Sequence, residues 1–132
     1  MSTDFSFPKS KRLRRAADFD RVYARKARAG DPALLIFADS NPEGETRIGL
    51  SVSKKHGNAV RRQRIKRLLR EAFRLEQHNV PAGLDLILIP RVDSGAALSD
   101  YRSSLLRLSR RLSRQLAERP RTISATRDEP TE

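Results

Sequence analysis

The chain has no cysteine and no tryptophan in 132 residues, and only two tyrosines and five phenylalanines. Without thiols, disulfide staples, cysteine-ligated zinc and a thiol nucleophile are excluded. Long apolar runs are missing too. The first residues hold no stretch of signal-peptide length, and nowhere do about 20 apolar residues follow one another, so neither export nor a membrane span is indicated. A cytoplasmic location is the expectation. Acids are few: 16 Asp and Glu stand against 28 Lys and Arg, for a formal net charge of +12. That excess is more than solubility requires and points to a polyanionic partner, either nucleic acid or an anionic membrane surface. His56 and His78 lie far apart, with no carboxylate at metal-ligand spacing. A two-metal nuclease needs convergent carboxylates, whereas Asp18, Asp20, Asp39, Glu43, Glu45 and Asp85 are scattered over helix, turn and strand. Asp18 and Asp20 are more simply acids at a helix N-terminus, where the macrodipole favours them. A glycine-rich phosphate loop is absent as well. The residues support no autonomous active site, and neither a metal nor a cofactor is expected on the protein.

What is abundant is concentrated in Lys54–Arg74. Gly57-Asn58 ends the preceding segment, and the Asn58 side chain is placed to cap a helix beginning at Ala59. Ile65, Leu68, Leu69, Ala72 and Leu75 recur on one side of that helix. Gln63, Arg67, Arg70 and Arg74 fall on the other, flanked by Arg62, Lys66 and Arg64. Like charges at i,i+4 repel by roughly 0.2–0.5 kcal/mol per pair. Cations in a first turn, here Arg61, Arg62 and Arg64, oppose the macrodipole by roughly 0.3–1 kcal/mol each. Glu71 and Glu76 offset only part of this. A solvated helix face normally mixes signs, so this one reads as a surface that phosphates neutralise.

The length suggests one domain with a core of its own, spanning 1–118, with a basic arm over 1–15 and a polar, disordered tail over 119–132. Phe5, Phe7 and Leu13 are the apolar anchors of the arm. A helix is predicted over Ala16–Ala29, stopped by Gly30 and Pro32, with Phe19, Val22, Tyr23 and Lys26 on one stripe. Ala33–Ala38 reads as a strand, and Asn41-Pro42-Glu43-Gly44 as the turn of a hairpin. Arg47–Ser53 alternates, with Ile48, Leu50 and Val52 on one face and Arg47, Gly49, Ser51 and Ser53 on the other. A face of glycine and serine is either plain solvent-facing surface or a shallow floor for a ligand. Leu84–Pro90 reads as a buried strand, with Asp85 its polar intrusion and an edge position the simplest explanation. A last amphipathic helix runs over Asp100–Glu118, with Tyr101, Leu105, Leu108 and Leu112 inside and Arg107, Arg110, Arg111 and Arg114 outside. Helix, two strands, helix, strand, helix make an α+β or α/β sandwich.

Ser51–Arg74, SVSKKHGNAVRRQRIKRLLREAFR, resembles the signature of the bacterial ribonuclease P protein component family, roughly SKK-x-GNAV-x-RNR-x-KR-x-x-RE. Ser53, Lys54, Lys55, Gly57, Asn58, Ala59, Val60, Arg62, Arg64, Lys66, Arg67, Arg70 and Glu71 match it. FPKSKRLRRAADFDRVY and TRIGLSVS are similar to the family's arm, first helix and central strand, so the resemblance spans about residues 5–115. Gln63 departs from the pattern, standing where the family has Asn. The same amide head sits one methylene further out.

The resemblance implies an αβββαβα fold, one strand more than the residue pattern yields. It also implies a left-handed β-α-β crossover, against a right-handed rule that holds in about 98% of cases. It implies the protein subunit of ribonuclease P, an endonuclease that removes the 5′ leader of precursor tRNA, with catalysis and Mg2+ on the RNA subunit. The implied partners are that catalytic RNA and precursor tRNA, with no membrane and no small-molecule substrate. Carried over by motif position, Asn58, Arg62, Gln63, Arg64, Lys66, Arg67 and Arg70 would meet the catalytic RNA, joined by Arg61 on charge and position. Phe19, Tyr23, Phe37, Ser51, Lys54 and Lys55 would form a cleft for the single-stranded leader. Composition alone also admits a general RNA- or DNA-binding structural protein of ribosomal or nucleoid type. A helix-turn-helix repressor fits poorly, because the basic helix is flanked by strands.

Overall fold

Leu84–Pro90, the apolar run LDLILIP, forms the strand around which the others assemble, with a neighbour on each side. The computed structural model describes residues 7–41 and 44–118. In chain order it contains α1 (Ala16–Arg25), β1 (Ala27–Gly30), β2 (Leu34–Ser40), β3 (Arg47–Leu50), α2 (Ala59–Glu76), β4 (Leu84–Pro90) and α3 (Leu98–Glu118), with 3-10 turns at Lys9–Lys11 and Lys54–His56. This is a mixed α+β architecture, αβββαβα, whose sheet has the order β1-β2-β4-β3. β1 pairs antiparallel with β2 and β2 antiparallel with β4, while β3 runs parallel to β4 through the α2 crossover. The expected tail over 119–132, Phe5 of the arm, and Pro42 and Glu43 of the turn lie outside the described residues.

Alternation along the strands divides the side chains between two faces. Leu34, Ile36, Ala38, Ile48, Leu84, Leu86 and Leu88 face the main core, where Leu69, Ala72 and Phe73 of α2 and Tyr101, Leu105, Leu108 and Leu112 of α3 complete it. The opposite face carries a smaller cluster of Leu13, Val22 and Ile87, with Phe19, Tyr23, Phe37 and Ile89 packed on it half-buried. α1 covers that second face only in part, so the sheet is closed by two helices on one side and left partly open on the other.

Three expectations are corrected. The first helix does not reach Ala29. It ends at Arg25 because Lys26 takes the left-handed conformation, φ 62°, as its C-cap. Ala27–Gly30 then pairs with β2, burying Ala27 and Ala29. The ARAG segment has helix-forming residues, and tertiary pairing overrides that propensity. β2 and β3 form no hairpin either. β3 does run opposite to β2, but β4 inserts between the two strands. Nor is Asp85 at an edge. It sits in the middle of the sheet, 1% exposed, and is satisfied by arginines.

Two carboxylates tie α3 to the rest. Asp31 accepts amide hydrogens from Ala33 and Leu34, a hydroxyl from Ser104, and a guanidinium contact from Arg107. Glu76 accepts from Arg102 and Asn79. Burial pushes both carboxyls up, but these donors outweigh it and hold both below their ordinary values. Carboxyls depressed in the folded state stabilise above their unfolded pKa values, about 3.9 and 4.3, and lose that contribution as pH falls through the folded values. Asp31→Asn combined with Glu76→Gln is therefore expected to lower Tm at neutral pH and to flatten its decline below about pH 4. Thermal unfolding across that range measures it, and a decline as steep as wild type would contradict the assignment.

Candidate nucleic-acid interface

α2 starts where the sequence predicts. The Asn58 side-chain oxygen accepts the Arg61 amide at 2.9 Å, which satisfies one free donor of the first turn. Leu69, Ala72 and Phe73 turn inward, and Ile65, Leu68 and Leu75 lie half-buried beside them. Arg61, Gln63, Arg64, Arg67 and Arg70 are exposed, and Arg62 and Lys66 are half-buried. The two acids of the helix are engaged elsewhere. Glu71 pairs with Arg74 at 2.6 Å, so Arg74 is not a free cation of this face as the helical spacing suggests. Glu76 is buried against Arg102 of α3. Among the described residues, none of Arg61, Arg62, Arg64, Lys66, Arg67 and Arg70 is held in an ion pair. The face carries one sign of charge and keeps it.

Just before α2, the Lys54–His56 turn holds both lysines exposed. His56, which sequence reasoning treats as a bystander, is the buried pin of this turn. Its Nε2 lies 2.7 Å from the Pro90 carbonyl, an acceptor only, so Nε2 donates there and Nδ1 takes the Ser53 amide at 3.1 Å. Gly57 follows at φ 118°, a conformation that strains any residue with a side chain, and Arg61 Cδ, 2.5 Å from where a Cβ would stand, would also have to move aside.

On the open sheet face, Phe19 and Tyr23 of α1 meet Phe37 of β2. Ring centroids are 6.5 Å apart for Phe19–Tyr23 and 5.0 Å for Tyr23–Phe37. All three are half-buried, which leaves part of each ring for a ligand. The glycine-serine floor is partly filled. Gly49 is buried with Phe19 Cζ only 2.5 Å from its would-be Cβ, because α1 lies across that row. Ser51, one step along from β3 and hydrogen-bonded through its amide to Leu88, stays half-exposed. The structure thus assembles the three aromatics, with Ser51 on the next row of the same sheet face and Lys54 and Lys55 following on the turn.

A polar clamp fixes α1 over this face, and sequence reasoning missed it. Arg21 donates one nitrogen to Asp39 at 2.6 Å and the other to Asp85 at 2.5 Å. Arg47 adds a two-pronged contact to Asp85 at 2.9 and 2.7 Å. Burial works against the charge on Arg21, yet hydrogen bonds to Asp85 and Asp39 raise its pKa above the ordinary arginine value. The hydrogen bond to Asp85 likewise raises Arg47. Asp18, Asp39 and Asp85, scattered in sequence, thus converge on arginines. Among the described residues no group of three His, Cys, Asp or Glu side chains is arranged to hold a metal ion. None of the described helices is long and apolar enough to cross a membrane.

The arm from Phe7 lies across the domain. Leu13 donates its amide to Ile48 of β3, Phe7 packs edge-on against Phe73 at 5.5 Å, and Lys11 reaches Gln77 at the end of α2.

Residues 7–115 match the family model described as Ribonuclease P. The ribonuclease P protein component of Yersinia enterocolitica is 42% identical over 114 residues, covering 83% of this chain and 93% of that protein. Its counterpart from Erwinia tasmaniensis is 40% identical, covering 83% and 95%. Among solved structures, the RNase P protein of Staphylococcus aureus is similar with TM-score 0.67 at 32% identity, over 77% of this chain and 94% of that one. The Thermotoga maritima RNase P protein gives 0.68 at 30%, over 75% and 96%.

Proposed function

Because the chain belongs to the ribonuclease P protein component family, we propose that the exposed face of α2 docks on the catalytic RNA while the aromatic cleft holds the 5′ leader of precursor tRNA. The chain is the protein component of an endoribonuclease ribonucleoprotein and acts in tRNA processing. The observation that carries the proposed division of labour is the cationic face of α2 left without ion pairs among the described residues. In this reading Arg61, Arg62, Arg64, Lys66, Arg67 and Arg70 neutralise phosphates, the arginines taking two oxygens each where geometry allows. Asn58 offers its amide nitrogen and Gln63 its full amide. Phe19, Tyr23 and Phe37 stack on leader bases without demanding a sequence, with Ser51, Lys54 and Lys55 beside the strand. Bond cleavage and its magnesium ions belong to the RNA, and the protein works in the cytoplasm.

Reconstitution tests this reading. The protein alone is expected to cleave nothing, and with the catalytic RNA to tighten precursor tRNA binding at low magnesium. Cleavage by isolated protein that survives RNA removal would contradict the proposal. Tyr23→Ala is expected to weaken leader-bearing substrate by ~1–3 kcal/mol, roughly 5- to 150-fold, and to leave leaderless tRNA unchanged. Equal losses on both substrates would assign Tyr23 to the core instead.

A further inference from the structure

A second groove, of about 320 Å3, lies between the arm, β3 and α2. Its walls carry Arg12 and Arg14 from the arm and Lys66 and Arg70 from α2, and Phe7 and Phe19 contribute apolar lining. Among the described residues, no acid lines it. Cations on facing walls repel one another until an anion enters between them. Arg12 is partly committed within the arm, donating to the Phe7 carbonyl at 2.9 Å with its guanidinium 4.7 Å from the Phe7 ring centroid. Arg14 is exposed and, like Lys66 and Arg70, is in no ion pair among the described residues.

Cationic walls with aromatic lining select a ligand that joins phosphate to a flat apolar ring. Inorganic phosphate would leave the rings unused, and a duplex keeps its base faces stacked and out of reach. We propose that this groove seats an unpaired nucleotide of the catalytic RNA, making the arm a second RNA-binding element that works together with α2. The assignment to catalytic RNA rests on the reading of α2 above, since Lys66 and Arg70 belong to both surfaces. Phe19 then separates two single-stranded paths, with the leader cleft on its Tyr23 side and this groove on its arm side.

Arg14→Glu tests the proposal, because the side chain is exposed and its loss should leave Tm unchanged. Binding of the full chain to the catalytic RNA is expected to weaken roughly tenfold, with the salt slope reduced by about one. The weakening should be the same whether or not tRNA with a leader is present. Arg111→Glu, an equal charge change on α3, should leave binding within about threefold of wild type. A loss seen only with leader-bearing substrate would overturn the proposal and give the groove to the leader. Unchanged binding for Arg14→Glu while Arg64→Ala still weakens it would overturn the groove alone. Unchanged binding for both variants would overturn the docking face of α2 as well.

Discussion

Arg21→Met is expected to cost about 3 kcal/mol of folding stability, the low end of what removing one partner from a buried ion pair costs. Asp39 and Asp85 have side chains 0% and 1% exposed, while Arg21 is about one-third exposed at 32%, which places the loss at that end. Asp85 keeps Arg47 in the variant, and Asp39 keeps the Ser40 amide and Arg25 at 3.5 Å. Neither carboxylate is orphaned completely, but both lose their shortest charged donor. The effect reaches the cleft, because the same guanidinium holds α1 over the sheet and so sets the spacing of Phe19 and Tyr23 against Gly49 and Phe37. Leader-bearing substrate should therefore be weakened more than leaderless tRNA at a temperature where the variant is fully folded. Arg21→Lys should recover only part of the loss, since an ammonium is a point charge and cannot fork to two carboxylates. Denaturant unfolding measures the first effect. Stability within about 0.5 kcal/mol of wild type would show that the clamp contributes nothing beyond a surface ion pair.

Arg64→Ala combined with Arg67→Ala is expected to reduce affinity for the catalytic RNA by roughly 10²-fold or more, counting ~1.5 kcal/mol for each charged hydrogen bond lost. The slope of log affinity against log salt should fall by about two. Folding should be almost unaffected, because both side chains are exposed and, among the described residues, neither is in an ion pair. Removing like charges from one helix face should if anything raise Tm slightly. Filter binding over a salt series, paired with thermal unfolding, separates the two effects. An unchanged slope would remove these residues from the interface.

Much of the fold, and the placement of the candidate interface residues on it, is legible in the amino-acid sequence. The Asn58 cap, the start of α2, the inward and outward faces of α2 and α3, and the buried β4 all follow from spacing and burial propensity. The motif resemblance adds the αβββαβα order, including the strand that periodicity misses. β1 is hidden because ARAG is four residues long, lacks β-branched side chains and follows a helix without a break in composition. The place of β4 between β2 and β3 is hidden for another reason. Pairing partners distant in sequence leave no local trace, and a turn signal says nothing about what later slides between two strands. The clamp is unreadable on the same ground: Arg21, Asp39, Arg47 and Asp85 come from four elements, and each alone looks like an ordinary surface charge. His56 presents the opposite problem, since a lone loop histidine gives no sign that its Nε2 will meet the Pro90 carbonyl.

α2 and α3 are both arginine-rich, and they differ in how their charges are engaged. On α3, Arg102 is paired with Glu76, Arg107 with Asp31, and Arg110 donates to the Asn79 carbonyl, so that among the described residues only part of its cationic row, with Arg111 and Arg114, is left out of any such contact. On α2 the exposed row is continuous. Comparing the dissociation constants of two double variants on the catalytic RNA therefore decides the matter. Arg64→Glu with Arg67→Glu and Arg111→Glu with Arg114→Glu change net charge equally. The α2 pair is expected to lose affinity by orders of magnitude and the α3 pair to stay within about threefold of wild type. Equal losses from the two pairs would mean that bulk charge, and no particular face, holds the RNA.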